Sequence, residues 1–232
     1  MSKALLISLA LITLLGAITI YIFSMPQALV GPEIPTRSQN STSEAKAYFA
    51  GGCFWCTESD FQKVLGVSEV VSGYAGGNKE NPSYEDVNTE TTGHRESVEV
   101  HYDPSVVSYR QLVEYFFDHI DPTDAEGQFH DRGESYTSAI FYQNEDEKRE
   151  IEAVKQWLSD NQVYDKPIVT SILPFTNFFP AEDYHQNYGE RNPVRYGYYR
   201  AASGRNELTQ KVCRIKTEKK LPCFTGRLKE NE

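Results

Sequence analysis

Residues 4–23, ALLISLALITLLGAITIYIF, carry no charge, and Ser and Thr are their only polar side chains. A helix of that length spans the hydrocarbon core of a bilayer. At the extreme N-terminus of a chain whose remainder is polar, the run cannot serve as a buried core helix, so it splits the chain into an apolar leader and a water-facing body. A cleaved signal peptide has an apolar region of about 7–15 residues and a small-x-small cleavage site. This run is longer, and SMPQALVGPEIP after it offers no clear site, so an uncleaved transmembrane anchor is expected, with secretion after cleavage as the alternative. Lys3 is the only charge before the run and Glu33 the first after it. The positive-inside rule then leaves residues 1–3 in the cytoplasm and the body outside.

Residues 24–45 contain Pro26, Pro32 and Pro35, then a Ser/Thr/Asn/Gln cluster, and read as a flexible tether. The catalytic body is expected over 46–205, and 206–232 form a charged tail holding Cys213 and Cys223. A formal charge of −10 without a basic patch argues against a nucleic-acid partner.

Within the body, AKAYFAGG reads as a strand entering a tight turn, and CFWCTESDFQKVLG as a helix stopped by Gly66. VSEVVSGYAGG and the period-two RESVEVHYDP are strands, and SYRQLVEYFFDHI is a helix ended by Asp121-Pro122. TSAIFYQ and KPIVTSILP are further strands around the amphipathic helix EDEKREIEAVKQWLSDN. Interleaved strands and helices imply an α+β fold: a mixed sheet with packed helices, a two-layer sandwich of ferredoxin-like type, with an irregular C-terminal segment from about residue 175.

Two of the four cysteines stand in Gly51-Gly52-Cys53-Phe54-Trp55-Cys56. Three chemistries compete for the cysteines. Zinc needs about four ligands in closely spaced pairs, whereas Cys213 and Cys223 lie far apart in sequence. A structural disulfide suits an extracytoplasmic body and fits Cys213–Cys223. For Cys53 and Cys56, C-x-x-C at a helix start is the spacing of redox-active dithiols. The helix N-terminus should lower the pKa of Cys53, and Glu58 and Asp60 should oppose this.

A proton donor is also in view. In Glu96-Ser97-Val98-Glu99-Val100-His101-Tyr102, strand alternation puts Glu96 in line with Val98, Val100 and Tyr102, facing the core. A carboxyl held there is pushed toward its protonated form and becomes a general acid. A strand-end carboxylate reaching solvent or Arg95 fits the same pattern.

At these residues the chain resembles the A-type peptide-methionine sulfoxide reductases. GGCFWC, GYAGG, NPSYEDV, TGHRESVEVHYDP, GESYTSAIFY and PAEDYHQNY occur in that family's order, across about 47–205. The resemblance implies thiol-dependent reduction of the S-epimer of methionine sulfoxide, free or in oxidised proteins, with no metal and no bound organic cofactor. It implies Cys53 as nucleophile, Phe54 and Trp55 as the aromatic pair around the substrate methyl group, and Glu96 as the acid that protonates the sulfoxide oxygen. Tyr84 and Tyr136 are the implied hydrogen-bond donors to that oxygen, and Asp131 a polar substrate contact. Oxidation of Cys53 to a sulfenic acid is followed by an intramolecular disulfide, which a thioredoxin-like donor resets. A monomer on the periplasmic side of a bacterial inner membrane is expected, with no room in 232 residues for a fused B-type domain.

Many relatives place their resolving cysteines in a tail after a glycine-rich stretch. Cys213 and Cys223 instead stand in TQKVCRIKTEKKLPCF, and Cys56 occupies a position where many relatives carry glycine. Spacing favours Cys56 as the partner of Cys53, leaving Cys213 and Cys223 as resolving or recycling thiols or a stabilising disulfide. Thiol-disulfide exchange on protein disulfides through Cys53–Cys56 is the alternative activity.

Overall fold

A computed structural model describes residues 44–224 and 227–229. The expected anchor over 4–23 and nearly all of the tether over 24–45 lie outside them. Among the described residues no helix is long and apolar enough to cross a membrane.

The framework is a split β-α-β unit repeated once. Strand β1 (Ala45–Ala50) leads through the Gly51-Gly52 turn into helix α1 (Phe54–Phe61), and β2 (Val67–Ala75) follows. A short helix α2 (Tyr84–Val87) precedes β3 (Arg95–Tyr102), then come helix α3 (Tyr109–Asp118), β4 (Gly127–Gln128), β5 (Asp131–Arg132) and β6 (Ala139–Tyr142). Helix α4 (Glu145–Asp160), β7 (Ser171–Pro174) and β8 (Phe178–Pro180) complete the sheet elements. The six-stranded sheet runs β7-β6-β1-β3-β2-β8. Its middle four strands, β6-β1-β3-β2, pair antiparallel throughout, the ferredoxin-like order, while β7 joins β6 in parallel.

Local sequence explains the boundaries. Ser108 and Gln111 form a reciprocal capping box at the start of α3, and Asn144 caps α4 by accepting the Glu147 N–H. Gly66 adopts φ +99°, and a Cβ there would lie 2.9 Å from Val106 and Val107, so only glycine turns the chain from α1 into β2. Helices α1 and α3 cover one sheet face, where Phe49 stacks on Phe61 at 4.7 Å and tilts against Phe116 at 5.1 Å. On the opposite face Tyr48 stacks on Phe175 at 3.9 Å, beside Phe141 and Phe178.

The segment after 175 corrects one expectation. Its entry is irregular, but α5 (Tyr188–Arg191), α6 (Pro193–Ser203) and α7 (Arg205–Glu218) follow. Pro193 opens α6 where its missing N–H is harmless, and Gly204 at φ +78° separates α6 from α7. The stretch read as a charged tail belongs to this body: Val212 is buried, and buried Lys216 donates to Asp118 beside the Trp157 ring. Further on, Leu65 donates its backbone N–H to the Arg227 carbonyl and Lys229 to that of Lys63. Charge patterning hid this, because the buried residues of α7 are mostly cationic.

Candidate active site

Cys53 is the N-cap of α1, set where β1 ends and the Gly51-Gly52 turn redirects the chain. Gly52 has φ +78°, and a Cβ on it would come within 2.5 Å of the Gln128 side chain, so the turn is open to glycine alone. The Cys53 carbonyl accepts the Cys56 and Thr57 N–H groups at 3.1 and 3.3 Å, which starts the helix. No side chain caps it from within. Glu96 does so from outside: its Oε2 accepts the Phe54 N–H at 2.9 Å.

Glu96 heads the apolar row of β3, as alternation predicts, and is 3 % exposed. Burial pushes its carboxyl up to about 8, against the pull of the Phe54 N–H, and nearby Asp131 adds to the rise. At neutral pH Glu96 is therefore a neutral acid held one residue from Cys53. The Tyr136 hydroxyl hydrogen-bonds it, and Tyr136 is in turn bonded to Tyr84, so both tyrosines converge on this carboxyl. Tyr84 opens α2, whose position is set by Glu182 Oε1 accepting the Tyr84 N–H at 2.9 Å. Asp131, on β5, accepts a hydrogen bond from Tyr199, whose hydroxyl also bonds the Cys53 thiol.

The helix start favours a lowered Cys53 pKa and Glu58 and Asp60 oppose it; in the structure the two thiols shift in opposite directions. Burial, the hydrogen bond to Cys56 and the nearby Glu96 push Cys53 well up, outweighing the Tyr199 hydroxyl. Cys56 moves down to about 6, first because Cys53 hydrogen-bonds it, then through Arg205 and Arg200. Glu58 and Asp60 play a different part from the one expected. Glu58 accepts the Asn187 and Tyr188 N–H groups at 2.9 and 3.3 Å, and burial raises its carboxyl to about 7. Asp60 takes two hydrogen bonds of 2.9 Å from Arg200.

Phe54 and Trp55 face an aromatic wall. Trp55 stacks on Tyr188 at 3.7 Å with an interplanar angle of 6°, and its Nε1–H donates to His185 Nδ1 at 3.0 Å. Phe54 is buried and lies 4.8 Å from the His185 ring and 5.9 Å from Tyr74. Pattern reasoning on sequence did not single out Tyr199, Tyr188, Arg200 or Arg205 as site residues, and weighed His185 only as a possible zinc ligand. PAEDYHQNY holds His185 and Tyr188, the aromatic density of 184–199 takes in Tyr199, and Arg200 and Arg205 gave no signal. Cys213 and Cys223 are not in this constellation: they form a disulfide with each other on α7 and the segment after it, with Cys213 exposed. Cys53 and Cys56 are both free and buried.

Residues 45–217 match the family described as peptide methionine sulfoxide reductase. The MsrA/MsrB protein of Vibrio cholerae is 46 % identical over 201 residues, covering 85 % of this chain. The match takes in 51 % of that protein, so the chain spans about half its length. MsrA of Bacillus velezensis is 52 % identical over 159 residues, covering 68 % of this chain and 90 % of that protein. The solved structure of methionine sulfoxide reductase A from Corynebacterium diphtheriae superposes with a TM-score of 0.59 at 32 % identity, over 73 % of this chain and 82 % of that one. A buried thiol beside a neutral carboxylic acid, two tyrosines and an aromatic wall is what sulfoxide reduction requires, and the chain belongs to the peptide methionine sulfoxide reductase family.

Proposed function

We propose that this chain reduces the S-epimer of methionine sulfoxide, in proteins and as the free amino acid, with Cys53 as nucleophile and Glu96 as acid. The observation that carries this reading is the buried Glu96 carboxyl, fixed by the Phe54 N–H at 2.9 Å immediately beside Cys53 and pushed up to about 8 by its burial. The sulfoxide methyl group lies against Phe54 and Trp55, and its oxygen receives hydrogen bonds from Tyr84 and Tyr136. The Cys53 sulfur attacks the sulfoxide sulfur while Glu96 delivers a proton to the oxygen. Oxygen then passes to Cys53 as a sulfenic acid and methionine departs as the thioether.

Cys56 closes the cycle. Its sulfur attacks the Cys53 sulfenic sulfur, the S–S bond forms, the S–O bond breaks and the oxygen leaves as water. The hydrogen bond between the two thiols supports this pairing, and the mutual bond of Cys213 and Cys223 occupies the other two cysteines. Two electrons from a thioredoxin-like dithiol restore the pair. No metal or organic cofactor takes part in this scheme. Both thiols are buried in the resting state, which favours a slender sulfoxide side chain over a bulky protein disulfide as substrate.

The apolar run at 4–23 supports a membrane-tethered monomer with its catalytic body on the periplasmic side; the secreted, cleaved form is the alternative. Turnover of resolved S- and R-sulfoxides, followed by mass spectrometry of the spent enzyme without reductant, tests the chemistry. Methionine from the S-epimer and a Cys53–Cys56 disulfide are expected. Turnover by a Cys53→Ser variant overturns the reading. Sodium carbonate extraction of membranes from the expressing cell tests the tether.

A further inference from the structure

Arg205 is among the largest fully buried side chains, at 1 % exposure. A guanidinium withdrawn from water costs several kcal/mol unless its charge and donors are answered. Its donors are partly answered: Nη2 donates to the Gly51 carbonyl at 2.7 Å and Nη1 to that of His119 at 2.9 Å, while Nε is buried without a partner. The Phe129 ring lies 4.9 Å from the guanidinium carbon. Its charge is not answered by a carboxylate, for among the described residues no Asp or Glu forms an ion pair with it. Arg200, one helix earlier, differs in this respect because Asp60 neutralises it.

Arg205 supports the turn carbonyl two residues before Cys53, and a Cβ on Gly52 would lie 3.3 Å from its Nη2. The Cys56 thiol is lowered first by Cys53 and then by the Arg205 charge. The other groups acting on the pair are known. Cys56 is faced by Cys53 and Asp60 on α1, and by Tyr196 and Arg200 on α6. Cys53 is faced by Glu96 on β3, which also acts on Cys56, by Tyr84 on α2, by Tyr136 and by Tyr199 on α6. Arg200 is paired with Asp60, whereas Arg205 has no carboxylate partner among the described residues, which leaves it as the buried cation beside the turn without an ion pair.

We infer that Arg205 is the fixed counter-cation of the Cys53–Cys56 pair, a positioning residue that holds one negative charge on the dithiol at neutral pH. The inference rests on the reading that this pair is the redox couple. The charge serves both halves of the cycle. It keeps an anionic sulfur in place while the proton between Cys53 and Cys56 can move, so that Cys53 attacks as thiolate and Cys56 later attacks the sulfenic sulfur. The same cation holds the turn that aims Cys53, through the Gly51 carbonyl.

The test is a thiolate titration by absorbance at 240 nm, on protein reduced at Cys53 and Cys56 with Cys213–Cys223 oxidised. The wild-type chain is expected to gain one thiolate below the ordinary thiol midpoint of about 8.5. Arg205→Met should move that midpoint up by about one pH unit or more, leaving about tenfold less thiolate at neutral pH. Disulfide closure after one turnover should slow in the same proportion, with its pH profile displaced alike. Arg205→Lys, which keeps the charge, should restore most of both. An unshifted midpoint in a natively folded Arg205→Met variant overturns the inference.

If Arg205→Met does not fold, Cys53→Ser in the Arg205 background decides, since its serine keeps a donor to Cys56. A Cys56 midpoint at or above 8.5 then overturns the inference. The titration needs no turnover, so a normal titration with a turnover disulfide mapped to Cys213 or Cys223 would refute the redox pairing and not the counter-cation.

Discussion

The Glu96 carboxylate accepts the backbone N–H of Phe54, the residue that follows Cys53, at 2.9 Å. One contact thus caps the helix that carries the nucleophile and fixes the distance between nucleophile and acid. Glu96→Gln keeps an oxygen for that N–H and removes the transferable proton. The fold should survive, and single-turnover methionine formation should slow by about 10²–10⁴-fold, the usual worth of general acid catalysis. Stopped-flow or quench-flow measurement with the S-sulfoxide checks this.

The same carboxyl sets an alkaline limit. Burial raises Glu96 to about 8, so the acid is present below that pH and lost above it. The first step should fall as pH rises beyond about 8, with a slope approaching tenfold per unit, and Glu96→Gln should abolish the dependence. Stability follows the same sign. The folded state holds protons on Glu96 and Glu58 that an unfolded chain releases near pH 4.3, so both contribute stability at low pH that is lost as pH rises through about 7 and 8. Denaturant titrations between pH 5 and 9 would show the loss, and Glu96→Gln should flatten its upper part.

Tyr188 packs parallel to Trp55 at 3.7 Å, and its backbone N–H is held by Glu58. Stacked aromatic pairs contribute about 0.5–1.5 kcal/mol beyond burial. Tyr188→Ala should therefore raise KM by up to about tenfold, through a poorly held indole, with a smaller effect on the chemical step. Steady-state kinetics separate the two.

Arg200 and Asp60 form a buried ion pair, with side-chain exposures of 11 % and 4 %. Although burial opposes ionisation, His119, Arg200 and Lys63 together hold the Asp60 carboxyl below its ordinary value. Arg200→Met removes the buried partner of that carboxylate, leaving the half-exposed Lys63 at 3.4 Å, and should destabilise the fold by about 3–5 kcal/mol. A urea titration measures it, and Asp60→Asn in the same background should recover part of the loss.

Cys213 and Cys223 are joined across a sequence separation of 10 residues. A loop of that size is worth about 2–3 kcal/mol by chain entropy, so the Cys213→Ser/Cys223→Ser variant should melt at a lower temperature. Its first turnover should still yield one methionine and a Cys53–Cys56 disulfide. Intact-mass and peptide mapping distinguish this from a relay through α7.

Much of this was legible along the chain. Strand alternation put Glu96 on the core side, because period-two geometry is local and needs no knowledge of neighbours. The split β-α-β order followed from interleaved strand and helix signals of ordinary length, and the glycine turn before Cys53 from residues that alone tolerate positive φ. What the sequence could not decide was electrostatic. Helix-start reasoning favours a lowered Cys53 pKa and counts only its own helix, whose Glu58 and Asp60 oppose it. Burial, the Cys56 hydrogen bond and Glu96 from β3 raise Cys53, while Cys53 itself and then Arg205 and Arg200 from α7 and α6 lower Cys56. The two arginines lie more than 140 residues from Cys56 in sequence yet act on it in space. Local periodicity determined which residues could face inward. Only the packing of distant helices onto the turn determined how the two thiols are shifted, because the desolvation and Coulomb energies that shift a buried group depend on distances the chain sets only when folded.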